Sequence, residues 1–365
     1  MLTTQSDTLP TVDRRPFVLR AASIAKGWVT RHVRHSTRNV REARKELYYR
    51  LRATRLGKPM LRAAAMARAP IETRRRQQLA RAYNARVSGA LMDPSKGYGL
   101  ISPDTFGDFG RVLDTYHRLF EIKRAKVERE VADFASWTPD KQAKFQAAKR
   151  KFLRNLLSND DLRRNPELVD FALSDAALGI ATGYLGTLPY LNRVDLLYSV
   201  PREADDNIAS QLFHVDPEGL TQVKFFVNVF DIGDAEGPFT FIPADATARI
   251  LRDIRAMRNR LGKPHVGRYS DEEIAAVGGT ESIVRITGPR GAGVAIDTSR
   301  CLHMGSRVQP GAFRLCIYVQ YCTTLEPSNV FEIKRYKKDP VRYLTVKHSV
   351  RSAGTEAMAP HEMGS

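Results

Sequence analysis

The chain has 365 residues, of which 42% are apolar and 27% are charged, as in an ordinary globular protein. Its 58 lysines and arginines outnumber its 40 acidic residues, which gives a net charge of +18. No run of about 18 apolar residues occurs and the N-terminus lacks an apolar signal core, so the sequence predicts neither a membrane span nor secretion.

The N-terminal quarter carries almost all of the net charge, because residues 1–90 hold 21 basic and 5 acidic residues. Apolar residues recur there at helical spacing after a polar stretch, residues 1–13, that we expect to be disordered. We therefore predict a basic helical N-terminal extension over 1–90. Three interpretations stay open: a solvated appendage packed on the body, an arm that contacts an anionic surface (membrane or nucleic acid), and a transit peptide.

Residues 91–345 change from a helical to a strand-like pattern along the chain. Charged helices are predicted over 110–155 and one strongly apolar helix over 165–186. After Pro189, short β-branched and aromatic runs alternate with Gly, Pro and Asp, which is typical of an antiparallel sandwich or barrel. A helical insertion is expected near 244–262, and the tail, 346–365, is expected to be disordered.

The three cysteines, Cys301, Cys316 and Cys322, lie close together in the sequence. Their number is odd and they lack CxxC spacing, which argues against a disulfide framework and a zinc knuckle. We expect a reducing, cytoplasmic location.

A candidate metal site begins at His214 and Asp216 in "QLFHVDPEGL". Residues two apart on an extended chain point to the same side, so the pair can supply two neighbouring ligands. A third candidate, His303, ends another strand-like run 89 residues later. Two histidines and one carboxylate on one face of the metal are typical of non-haem Fe(II) oxygenases.

A charged residue in an apolar strand gives a second clue. Arg314 lies 11 residues after His303 in "GAFRLCIYVQY", where it would alternate inward with Cys316, Tyr318 and Gln320. Burial of a lone guanidinium is costly, so an anionic partner is expected, and a carboxylate suits its forked geometry.

Together these residues resemble the Fe(II)/2-oxoglutarate-dependent oxygenases, specifically their phytanoyl-CoA dioxygenase-like branch. The resemblance covers about residues 95–325 and rests on "FHVD", "DAEGPFTFIPAD" and "DTSRCLHMGSR" with its downstream arginine. It implies a mainly β fold, a double-stranded β-helix (jelly roll, cupin-like) buttressed by helices.

The resemblance also implies roles for individual residues. His214, Asp216 and His303 would bind Fe(II), and Arg314 would bind the far carboxylate of 2-oxoglutarate. Where many relatives place a serine or threonine two residues after that arginine, this chain has Cys316, a weaker hydrogen-bond partner. Further cosubstrate-binding candidates alternate on the strand after the His-x-Asp pair: Lys224, an alternative carboxylate anchor, with Phe226 and Asn228.

The activity implied is oxidation of a small molecule with Fe(II), 2-oxoglutarate and O2, with ascorbate as a possible requirement for activity. Hydroxylation is the default outcome, although desaturation and epimerisation use the same site. Related halogenases replace the carboxylate ligand by a small residue, so Asp216 argues against halogenation.

Three arginines are candidates for a substrate site. Arg249, Arg268 and Arg307 are candidates for an opening over the metal that would suit an acidic or phosphorylated substrate, whereas His265 is expected to be a loop residue. Two alternatives stay open: a cupin-like divalent-metal protein acting as an isomerase, lyase or sensor, and a binding protein whose basic arm contacts nucleic acid or membrane.

Overall fold

The computed structural model describes residues 57–87, 89–132, 136, 138, 152–202, 207–216, 221–264, 267–323, 329 and 331–347. The predicted helices before residue 57, most of the predicted tail and His265 lie outside these residues. Described residues from 65 onward belong to one compact unit. No helix in the described ranges is both long enough and apolar enough to cross a membrane.

The helices and strands are as follows. The helices are α1 Gly57–Arg68, α2 Pro70–Asn84, α3 Gly110–Ala132, α4 Asn159–Arg164, α5 Glu167–Ala172, α6 Asp175–Leu185, α7 Ala244–Arg260, α8 Asp271–Ala276 and α9 Pro340–Val346. The strands are β1 Tyr98–Ile101, β2 Leu153–Asn155, β3 Tyr190–Ser199, β4 Gln222–Asn228, β5 Phe239–Ile242, β6 Val284–Ile286, β7 Gly293–Ile296, β8 Leu302–Met304 and β9 Arg314–Cys322.

The larger sheet is antiparallel and has the strand order β1-β7-β4-β9-β3-β2. Every residue of its central strands, β4 and β9, is buried. One face packs on helices through Phe225, Ile317 and Tyr321, and the other face lines the interior of the core. Burial on both faces explains why apolar residues occur on both faces of these strands, while the polar residues of β4 (Gln222, Lys224 and Asn228) lie on the face that lines the interior.

The smaller sheet has the order β6-β5-β8. His214 and His303 form an antiparallel bridge, which places residues 213–216 on the free side of β8. Counted along the chain from β3, eight strand segments then cross between the sheets in jelly-roll order, with the consecutive strands β5 and β6 both in the smaller sheet. The predicted mainly β fold, a double-stranded β-helix with flanking helices, is confirmed.

Helices cover both sheets. Apolar residues of α3, α5 and α6 join the cluster beneath the larger sheet, and Ile250 and Ile254 of α7 pack on the smaller one with Phe213. The insertion predicted near 244–262 is α7, which ends at Arg260.

Three local predictions differ from the structure. The single helix expected over 165–186 is two helices, because the Ser174 side chain accepts a hydrogen bond from the Ala177 N–H and starts α6 anew. No strand was predicted before Pro189, yet β1 precedes α3, and the end of the expected helical region 110–155 is β2. Both strands are edge strands, which form because a neighbouring strand offers free backbone groups.

Candidate metal centre and cosubstrate pocket

His214 and His303 lie opposite each other on two neighbouring segments of the smaller sheet. The backbone N–H of each donates to the carbonyl of the other, at 3.0 and 2.9 Å. Their ring centroids lie 4.3 Å apart. This pairing brings together residues that are 89 positions apart in the sequence.

The ring nitrogens of both histidines are oriented by the backbone. Nδ1 of His214 lies 2.9 Å from the Leu212 carbonyl, and Nδ1 of His303 lies 3.1 Å from the Cys301 carbonyl. A carbonyl can only accept, so each Nδ1 is the protonated nitrogen and each Nε2 keeps its lone pair. The same use of Nδ1 orients metal-binding histidines in general.

Asp216 completes a compact set of ligand atoms. Its carboxylate oxygens lie 3.8 Å from Nε2 of His214 and 3.5 Å from Nε2 of His303. One candidate ligand atom from each residue falls within 4.8 Å of the others, and among the described residues only these three form such a group. The site therefore presents two nitrogens and one oxygen, a donor set that suits Fe(II).

Lys224 lies at the same site. Its ammonium donates to a carboxylate oxygen of Asp216 at 2.6 Å. Burial by itself raises the pKa of Asp216, but the charge and hydrogen bond of Lys224 outweigh it and hold that pKa well below its usual range. Asp216 is thus a carboxylate, the form that binds metal.

The histidines are neutral for a related reason. Burial, followed by the nearby His303, lowers the pKa of His214 to about 2. Burial also lowers the pKa of His303, against the opposing charge of Asp216. Neutral imidazoles have no proton to lose on metal binding, so the site is ready for a cation.

The interior next to the triad is aromatic. Phe226 stacks on Phe239 with centroids 4.1 Å apart and meets Tyr318 edge-on at 5.4 Å. Phe239 lies 5.6 Å from the His303 ring. Phe226 therefore faces the interior, as the alternation along β4 predicts, and forms an apolar wall that limits access of water.

Arg314 is buried without an acidic partner. Its Nη1 donates to the Gly237 carbonyl at 2.9 Å, while its Nε is buried without any hydrogen-bond partner. No carboxylate of the described residues forms an ion pair with it. Burial lowers the pKa of this guanidinium. The Arg314 side chain therefore carries hydrogen-bond donors and a positive charge that an anionic ligand would satisfy.

The guanidinium lies close to the metal centre. A Cβ added at Gly305, two residues after His303, would be 3.3 Å from Nη2 of Arg314. Asn228 pairs with Cys316, diagonally across from Arg314, and its side-chain Nδ2 is also buried without a partner. Two unsatisfied donor groups therefore share one region of the interior.

Cys316, which follows Arg314 on the same face of β9, is a poor anion ligand. Burial raises the pKa of the Cys316 thiol to about 11, so it stays protonated. Two buried hydroxyls lie nearby instead. Ser199 pairs with Arg314 across β3 and β9, and its Oγ lies 3.0 Å from that of Ser306.

The three arginines predicted to line the opening have different surroundings. Arg249 is an exposed residue of α7 that donates to the carbonyls of Val277 and Gly278. Arg307 donates to the Gln211 carbonyl and forms a bidentate ion pair with Asp271. The structure does not bring these two to the triad with free donors.

Sequence reasoning placed Gln320 on the inward face of its strand but missed the chain of buried amides to which it belongs, beside the triad. Asn192 donates to Gln320 at 2.9 Å, Gln320 to Gln222 at 2.7 Å, and Gln222 to Thr298 at 3.0 Å. The Thr298 carbonyl accepts from the backbone N–H of Asp216. Alternation along β4 could also have revealed Gln222, but Asn192 lies at a break in strand pairing that no sequence pattern marks.

Comparison with known proteins gives structural similarities only. No family profile matches the chain, and no curated protein matches its sequence. EctD from S. alaskensis with 2-oxoglutarate and 5-hydroxyectoine is similar at 15% identity, over 64% of this chain and 75% of that one, with a TM-score of 0.39.

Two further structures show comparable similarity. AviO1 from Streptomyces viridochromogenes Tue57 has 15% identity over 64% of this chain and 93% of that one, with a TM-score of 0.34. The epimerase SnoN in complex with Fe3+, alpha ketoglutarate and nogalamycin RO has 14% identity over 67% and 84%, with a TM-score of 0.31. At such low identity, the functional assignment depends on the residues of this chain.

Proposed function

We propose that this protein is an Fe(II)- and 2-oxoglutarate-dependent dioxygenase that hydroxylates a small organic molecule and releases succinate and CO2. One observation carries the proposal: near the ligand set of His214, Asp216 and His303 lies a buried arginine, Arg314, that forms no ion pair with any described residue. A metal site alone would fit many proteins. A metal site with an adjacent receptor for a carboxylate fits a chelating dicarboxylate cosubstrate.

The residues fit Fe(II) in number and kind. The two Nε2 atoms and one carboxylate oxygen would hold the ion on one face and leave its other positions open. Lys224, which now pairs with Asp216, would keep that carboxylate ionised and oriented. Bound iron would supply O2 activation coupled to decarboxylation of 2-oxoglutarate, with ascorbate maintaining the reduced metal.

The interior also fits 2-oxoglutarate. The far carboxylate would accept hydrogen bonds from the guanidinium of Arg314 and from Asn228 Nδ2. Nε of Arg314 and Nδ2 of Asn228 are buried donors without a partner among the described residues. Phe226 and Phe239 would exclude water from the reacting centre. The protein thus orients the cosubstrate and keeps the reaction dry.

The motifs "FHVD" and "DAEGPFTFIPAD" support membership of the phytanoyl-CoA dioxygenase-like branch. The three cysteines are buried and unpaired, which supports the proposed cytoplasmic location.

For the basic residues 1–90 we keep the proposal that they contact an anionic surface, either membrane or nucleic acid, because of their charge.

The metal assignment is tested by single substitutions. His214→Ala and Asp216→Ala should each abolish stoichiometric Fe(II) binding under anaerobic conditions while the urea unfolding midpoint stays near that of the unchanged protein. His117→Ala, which removes a partly exposed histidine of α3, is the matched control and should bind one equivalent. Unchanged iron content in either triad variant would refute the assignment.

The residue that anchors the cosubstrate is tested by comparing substitutions of two basic side chains, Arg314 and Lys224. Arg314→Gln should weaken 2-oxoglutarate binding about 100-fold with iron binding unchanged, because a buried charge-assisted pair is lost. Binding is followed anaerobically by the visible charge-transfer band of the Fe(II) chelate. Lys224→Met should retain most of the affinity for 2-oxoglutarate, and the opposite ranking would move the anchor to Lys224.

Succinate formation separates oxygenation from other metal chemistry. Protein loaded with Fe(II), 2-oxoglutarate and ascorbate should form succinate in the presence of O2, and Asp216→Ala should not. An iron-binding protein that forms none with a broad panel of substrates would instead be a cupin-like metal protein.

A further inference from the structure

One arginine near the triad is held in place by its backbone. The residue after it, Tyr269, exchanges two backbone hydrogen bonds with Phe213, at 3.0 and 2.9 Å. Arg258 of α7 donates to the carbonyl of Arg268 itself at 2.8 Å. The backbone of Arg268 is therefore fixed alongside the segment that carries His214 and Asp216.

The side chain of Arg268 belongs to the face of the ligands. Phe213 and Tyr269 are opposite each other and both pack in the apolar cluster under α7. Successive side chains of an extended segment point to opposite faces, so Arg268 and His214 share the other face.

The guanidinium of Arg268 is available for a ligand. It makes no hydrogen bond or ion pair with any other described residue, and the residue is exposed. Arg307, by contrast, donates hydrogen bonds to the Gln211 carbonyl and to the Asp271 carboxylate. Arg249 donates to the carbonyls of residues 277 and 278. Of the three predicted arginines, only Arg268 combines proximity to the triad with free donors.

We propose that Arg268 binds an oxyanion group of the substrate, a carboxylate or a phosphate, at the rim of the metal centre. This inference rests on the proposed function, since it takes the triad as the place of reaction. A planar guanidinium binds either oxyanion through two parallel hydrogen bonds, which orient the substrate as well as hold it. The carbon to be oxidised would then be set by its distance from that anionic group.

The test uses calorimetric titration of the full chain loaded with Mn(II), a redox-inert substitute for Fe(II), and with 2-oxoglutarate to occupy Arg314. The probes are benzoate, phenyl phosphate and the neutral benzamide, at low salt. Arg268→Gln should weaken binding of the better oxyanion about 10- to 100-fold, the range for one charge-assisted pair. Arg268→Lys should retain part of the affinity, Arg249→Gln all of it, and benzamide should not distinguish the variants.

Several outcomes would overturn the inference: equal oxyanion affinity in Arg268→Gln and the unchanged protein, equal binding of benzamide and benzoate, or no oxyanion binding at all. The stronger of benzoate and phenyl phosphate identifies the substrate group. Loading of Mn(II) and 2-oxoglutarate is measured first in the same instrument. If loading fails, the proposed function fails and this inference fails with it. If loading succeeds but the Arg268 variants bind the oxyanions equally, only this inference fails.

Discussion

Gly237, in the "DAEGPFTFIPAD" motif, shows how a single residue supports the pocket. Its φ of +65° lies in the left-handed region, and a Cβ there would come within 2.6 Å of the Arg307 backbone. Its carbonyl is the acceptor for Nη1 of Arg314. The glycine thus permits a turn that both closes on the segment after β8 and holds the buried guanidinium.

Gly237→Ala should lower the free energy of unfolding by about 3 kcal/mol, because left-handed strain adds to a backbone clash. Gly262→Ala is the control, since Gly262 has a similar φ of +63° but nothing within 4 Å of an added Cβ. The control should cost about 1 kcal/mol, the strain alone. Urea unfolding measures both, and equal costs would contradict the role assigned to the close contact.

At the scale of elements, α7 and α8 form a clamp over the smaller sheet. Arg258 of α7 donates to both carboxylate oxygens of Glu273 in α8, at 2.7 Å each, and its guanidinium lies 4.8 Å from the Tyr269 ring centroid. Glu273 also completes a capping box with Ser270 at the start of α8. The clamp therefore holds the loop that carries Arg268.

Arg258→Met should lower the free energy of unfolding by about 2 kcal/mol, because it leaves the Glu273 carboxylate without its charged partner and the Arg268 carbonyl without its side-chain donor. Amide hydrogen exchange should increase in α8 and in residues 268–270. Arg252→Met, on the exposed side of α7, should change stability by less than about 0.5 kcal/mol. Unchanged exchange in α8 would show that its packing alone keeps it in place.

At the scale of the whole molecule, Arg76 of α2 joins distant parts of the chain. It donates to the carbonyls of Leu188, Pro189 and Leu344, and its guanidinium lies 3.6 Å from the centroid of the Tyr190 ring. It thereby links α2, the start of β3 and α9. A helix predicted as part of the basic extension is packed on the core through one of its positive charges.

Arg76→Ala should lower the free energy of unfolding by about 3 kcal/mol, since three buried carbonyls lose their donor. Arg75→Ala, at an exposed neighbouring position, should stay within about 0.5 kcal/mol of the unchanged protein. Thermal unfolding of the full chain measures both. Removal of all of residues 1–90 would also remove Arg76, so a test of the arm should retain α2.

Most of the core strands are predictable because their pattern is local. β4, β5, β7 and β9 lie within the runs of β-branched and aromatic residues that predict them. The division of 165–186 into two helices was missed because Ser174 within an apolar stretch also fits a continuous helix. The break near Asn192 was missed because it depends on how β3 pairs with β9.

The sequence by itself determined the chemical types at the site. A histidine and a carboxylate two residues apart, a second histidine and an inward-facing arginine are properties of short segments and of strand alternation. Only the tertiary structure decided which of these groups meet and which remain free. Convergence of His214 with His303 depends on strand pairing across 89 residues. Arg249 and Arg307 differ from Arg268 because their guanidinium groups donate to nearby loop carbonyls or to a carboxylate. Such contacts are made between elements distant in sequence, where no local pattern records them.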